Sequence, residues 1–137
     1  MTITLKSSTG QLIDAPSCEA VQYSLFDDPD AWTSSPDATI TRIADGDRST
    51  LLIAFAPGRG YYVHLLDKMR RVWLLTEDRF SIEPEVVEID DDYWVSVGLL
   101  CTRTSVEEAV QWFLESGTRS PNLKWVSDND LPENVVF

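Results

Sequence analysis

A lone imidazole, two distant thiols and a run of carboxylates are the groups in this chain that could do chemistry. His64 lies in Tyr61-Tyr62-Val63-His64-Leu65-Leu66, where alternation puts it on the face shared by Tyr62 and Leu66. Nucleophilic catalysis needs a nucleophile within hydrogen-bond reach of such a base, and no local signature of the GxSxG kind supplies one. A half-buried structural histidine is the expectation. Cys18 and Cys101 have no CxxC spacing, and with a single histidine they do not match the paired spacings of zinc sites. Asp90-Asp91-Asp92 lacks the alternating ligands, central glycine and closing glutamate of a calcium loop. On an extended backbone, moreover, neighbouring side chains point to opposite faces. Pro57-Gly58-Arg59-Gly60 lacks the Lys-Ser/Thr pair of a phosphate loop and reads as a turn. The residues therefore predict no catalytic group, no metal and no cofactor, and a protein that is not an enzyme.

What stands out instead is negative charge. The chain carries 23 Asp plus Glu against 11 Lys plus Arg, a net charge of −12. Phosphate-bearing partners are held by Lys and Arg, so direct binding to nucleic acid or an anionic membrane is disfavoured. A cationic protein surface is favoured, with long-range attraction speeding the encounter. Eight acids fall between Glu77 and Asp92 against the single Arg79, and Tyr93 and Trp94 follow at once. Six more acids and no base lie between Asp14 and Asp37. Carboxylates beside aromatics suit an interface, since aromatic rings supply buried anchors and carboxylates pair with Lys or Arg. The candidate partner-binding residues are Glu77, Asp78, Glu83, Glu85, Asp90, Asp91, Asp92, Tyr93 and Trp94. Lys68, Arg70 and Arg71, the one basic cluster, read as a hairpin tip or as partners for the protein's own acids.

These residues must be positioned by a fold the pattern partly reveals. A chain of 137 residues, 43% hydrophobic, is long enough for one domain, 1–137, with a core of its own. Strands are predicted over 2–5, 38–44, 50–56, 61–66 and 71–76, joined by turns at Asp45-Gly46-Asp47, 57–60 and 67–70. Both faces of the 50–56 segment are apolar, which predicts a central position covered on two sides. Segments 86–89 and 93–99 add one or two strands to this meander, and 122–126 is a last short strand or an extended arm carrying Trp125. A helix of moderate pattern spans about 16–26, capped by Asp14 or Ser17. The stronger helix opens with Ser105 as N-cap and Glu108 completing a capping box. Val106, Ala109, Val110, Phe113 and Leu114 form its apolar stripe, and Gly117 ends it. The fold class is α+β: a mainly antiparallel sheet with a strong C-terminal and a weaker N-terminal helix packed on it. No leader pattern or long apolar run is visible, so a cytoplasmic location with reduced, buried cysteines is expected.

Ser105-Val-Glu-Glu-Ala109, Phe113-Leu-Glu-Ser-Gly117, Arg119, Pro121 and Lys124-Trp125 resemble the closing signature of the Imm1 family of bacterial immunity proteins. That signature is a helix ending in a Phe-x-x-x-Gly element, then an Arg/Pro pair and a Trp. Here Ser120 separates Arg119 from Pro121. The resemblance implies an α+β inhibitor that binds the C-terminal domain of a cognate toxin, often a nuclease or nucleic-acid deaminase. An acidic inhibitor would fill such a toxin's basic cleft with carboxylates where phosphates go. The competing reading is a small-molecule-binding or enzymatic domain with a pocket between sheet and helix, lined by Tyr61, Tyr62, His64 and Trp73.

Overall fold

Which sheet edges are left free, and which apolar faces need cover, decides how these segments assemble. The computed structural model describes residues 1–77, 86–90 and 93–131, with Asp90 and Tyr93 described by backbone alone. In chain order they form β1 (Thr2–Lys6), β2 (Leu12–Asp14), α1 (Cys18–Gln22) running into a wide turn over Tyr23–Asp27, β3 (Asp37–Ala44) and β4 (Asp47–Ala56). Then come β5 (Gly60–Leu66), β6 (Val72–Thr76), β7 (Val86–Asp90), β8 (Tyr93–Ser96), β9 (Leu100–Cys101), α2 (Arg103–Ser116) and β10 (Lys124–Ser127). The molecule is α+β, with an eight-stranded antiparallel sheet in the order β10-β6-β5-β4-β3-β1-β2. The eighth strand, β9, pairs with β5 beside the start of that strand, Tyr61 against Cys101. β6 pairs with the other half of the same edge, His64 to Leu66.

β4 is central, and its alternation feeds two cores. Leu51 and Ile53 face α1 and α2, packing with Leu5, Ile40, Val63, Leu65, Val106, Val110 and Phe113. Ala54 faces the other way, into a second cluster with Tyr62, Leu74, Val95 and Leu99. The close approach of β9 to β5 requires a glycine. Gly60 has φ +126°, and a Cβ there would stand 2.7 Å from the Cys101 carbonyl oxygen.

Three expectations need correction. β7 and β8 do not extend the meander: they pair with each other as a separate ribbon. β10 occupies the outer edge of β6 and β9 the remaining edge of β5, so the ribbon instead lays Val87, Ile89 and Val95 over the apolar face left uncovered. The capping box at Ser105 is also not formed. The N-cap is Thr102, three residues earlier, and its amide and hydroxyl bond the Glu77 carboxylate from the end of β6. Of the thiols, only Cys101 is buried; Cys18, at the start of α1, is exposed. Burial pushes the Cys101 thiol up to about 12. A thiol reagent at pH 8 is expected to label Cys18 alone in the folded protein and both cysteines in denaturant; rapid native labelling of Cys101 would contradict this packing.

The remaining helix features agree with the pattern. Ser17 caps α1 by accepting from the Ala20 amide at 3.1 Å, and Val21 and Leu25 are buried. Gly117 ends α2 with φ +72°. Val106, Ala109, Val110 and Phe113 are all buried. Gln22 reaches Glu107 at 2.8 Å, and Arg103 bonds both Asp27 (3.0 Å) and Glu107 (2.9 Å), clamping the two helices together. Among the described residues, no helix is long and apolar enough to cross a membrane.

Candidate binding surface

Apart from Glu77, the part of the acidic run that the structure describes lies on the β7–β8 ribbon. Its register pairs Val87 with Val95 and Glu88 with Trp94. Because alternate residues point to opposite faces, the buried Val95 fixes the direction of its neighbours. Val87 and Val95 look into the core, while Glu88 and Trp94 look outward. Trp94 is 39% exposed, an uncommon state for the largest side chain, and Glu88 is exposed beside it. Glu88 has no ion pair among the described residues. The register shifts by one residue between Glu88 and Asp90, so that Asp90 stands opposite Tyr93 at the ribbon's end. Asp128 and Asp130 are exposed on the short turn leading to Leu131, which packs into the same layer.

The candidate residues thus divide three ways. Trp94 and the backbones of Asp90 and Tyr93 share the ribbon. Asp78, Glu83, Glu85, Asp91 and Asp92 lie outside the described residues. Glu77 does something else: one carboxylate oxygen accepts from the Thr102 amide at 2.7 Å, the other from the Thr102 and Ser105 hydroxyls at 2.9 and 3.0 Å. Its charge faces the positive end of α2, where free amides and the helix dipole both favour an anion. Replacing Glu77 with Ala is expected to destabilise the fold by about 1 kcal/mol, as loss of an N-cap does, measured by urea unfolding. An unchanged midpoint would return Glu77 to the pool of free surface acids.

Glu88 was overlooked as a contact residue, although it lies inside the acidic run. The feature that finds it is register: Glu88 stands opposite Trp94, and alternation from the buried Val95 turns both outward. The acids at the helices are differently disposed, since Asp27 and Glu107 are compensated by Arg103. The ribbon face is not uniformly negative either. Toward the β3–β4 turn, Arg48 and Arg70 flank His64 in a shallow basin floored by Leu52 and Leu66. Burial lowers the His64 pKa below its ordinary value against the opposing pull of the Asp128 carboxylate, so the imidazole is neutral at pH 7.

Tyr61, Tyr62, His64 and Trp73 do not converge on one pocket. Tyr61 and Trp73 pack on the helix side of the sheet. Tyr62 belongs to the ribbon-side cluster, and His64 stands edge-on to it at 6.3 Å on that same face. Tyr61 is instead part of an aromatic cluster with Phe26, Trp32 and Phe55, its ring centroid 4.9 Å from that of Phe55. Among the described residues no group of three or more His, Cys, Asp or Glu side chains is placed to hold a metal ion. No family model, no curated protein and no solved structure matches this chain.

Proposed function

We propose that this chain is a cytoplasmic neutralising protein of the immunity type, binding a cognate toxin domain and covering its cationic cleft. The observation that carries the reading is the outward pair on the ribbon, an exposed Trp94 directly opposite a Glu88 that has no ion pair among the described residues. A large aromatic held out of the core beside a carboxylate is the composition of an interface centre, and Trp is the residue most enriched among binding hot spots. Net charge of −12 supplies the long-range attraction toward a basic partner. The segment that resembles the immunity-protein signature has structural work here. Gly117 ends α2, Arg119 stacks on Trp73 with its guanidinium 3.5 Å from the ring centroid, and the Trp125 indole donates to the Ser120 carbonyl at 3.2 Å. Those residues build the scaffold; the contacts fall to the ribbon.

The test is co-expression with the C-terminal domain encoded by the reading frame adjoining this chain's own. The proposal predicts that this domain poisons cells alone, that co-expression restores growth, and that the two proteins purify together. A neighbouring frame with no toxic domain, or a toxic domain neither bound nor neutralised, would overturn it.

A further inference from the structure

On the helix side of the sheet, away from the ribbon, the β3–β4 turn, the β5–β6 turn and the C-terminal end of α2 enclose a cavity of about 320 Å³. In a chain with only 11 cationic side chains, Arg42, Lys68, Arg71 and Arg119 all line it. Asp45, Asp47 and Asp67 line it too, but two of these are engaged. Asp47 lies 4.0 Å from Lys68. Asp67 accepts from the Met69 and Arg71 amides at 2.9 Å each and from the Trp73 indole at 3.1 Å, with the Arg71 guanidinium 3.3 Å away.

The other two arginines are left over. Neither Arg42 nor Arg119 has a carboxylate partner among the described residues, although the chain holds twice as many acids as bases. Arg119, an exposed side chain, stacks on Trp73, and the edge of its guanidinium has no acceptor among the described residues. Arg42 makes only a long contact, 3.4 Å, to the Glu115 carbonyl, and its Nε is buried without a partner. Directly across the β3–β4 ladder from Arg42 stands Ser49, nine-tenths buried, lining the cavity, with no hydrogen-bond partner among the described residues. The Ser49 hydroxyl and the guanidinium groups of Arg42 and Arg119, gathered around one space with no carboxylate partner among the described residues, form a donor set suited to an acceptor.

We propose that this cavity is a binding site for a small oxyanion, a phosphate or carboxylate group, held by Arg42, Ser49 and Arg119. Arginine's planar fork suits either group, and the cavity is near the lower size limit of ligand sites, enough for a compact metabolite. The site lies on the opposite face of the sheet from Trp94, so the outcome of its test is independent of the toxin-binding reading.

The test uses the purified full-length chain, with its melting temperature measured in inorganic phosphate, in acetate and in chloride at matched ionic strength. Phosphate or acetate at ten times its dissociation constant is expected to raise the melting temperature by about 3–6 °C over chloride. Arg119→Gln and Ser49→Ala are each expected to abolish most of that rise, read against the same variant's own melting temperature in chloride, which takes up any stability lost with the Arg119–Trp73 stack. A response to phosphate alone assigns a phosphoryl ligand, and a response to acetate alone a carboxylate. No rise over chloride, or a full rise retained in both variants, overturns the proposal.

Discussion

Trp94→Ala is expected to weaken the complex with the cognate toxin domain by at least about 30-fold, the effect of losing a hot-spot residue worth about 2 kcal/mol. The same substitution is expected to change folding stability by less than about 1 kcal/mol, because surface positions outside the core tolerate replacement. Its side chain points away from the core that Val87 and Val95 fill. The two readouts separate an interface residue from a packing residue. A Trp94→Ala protein that binds as before, or one that loses binding only because it unfolds, would contradict the assignment. The expected kinetic signature is a faster dissociation rate, since an aromatic anchor acts after encounter.

Phe113→Ala should give the opposite pattern. Phe113 is fully buried at the centre of the helix-side cluster, packed with residues from α1, α2 and the sheet. Its truncation removes transfer free energy and leaves a cavity that rigid strands cannot close, costing about 3–5 kcal/mol. For a domain of this size that lowers the melting temperature by roughly 10–20 °C. Calorimetry of the variant checks it. A fall of only a few degrees would mean that α2 sits loosely on the sheet. Where the variant remains folded, its affinity for the toxin domain is expected to be unchanged, because the ribbon lies on the other side of the sheet.

The sequence was most readable where structure is decided locally. The turns at Asp45-Gly46 and Pro57-Gly58, the alternation along β3 to β6 and the apolar stripe from Val106 to Phe113 each carry their own signal within a few residues. What escaped depends on distance along the chain. The start of α2 is held by a carboxylate 25 residues upstream, Glu77, which takes the Ser105 hydroxyl that the local Ser105–Glu108 pattern assigns to a capping box. β2 and β9, three and two residues long, are too short to show a period. The ribbon's position over the sheet follows from β9 and β10 taking the free edges, which no local pattern records. The same holds for Arg42, Ser49 and Arg119: the first two meet through strand register, and the third arrives from beyond α2. The acidic run was visible at once, but its parts play different roles. Glu77 serves its own helix, while Glu88 faces outward.

The most direct measurement of the central claim is the association rate with the toxin domain for the wild-type chain and for the triple variant Asp90→Lys, Asp91→Lys, Asp92→Lys. Electrostatic steering contributes about 10- to 1,000-fold to association between complementary surfaces and is screened by salt. The account predicts at least a tenfold slower association for the variant at low ionic strength, with the gap narrowing as salt is raised. Identical association rates for the two proteins at low salt would contradict it.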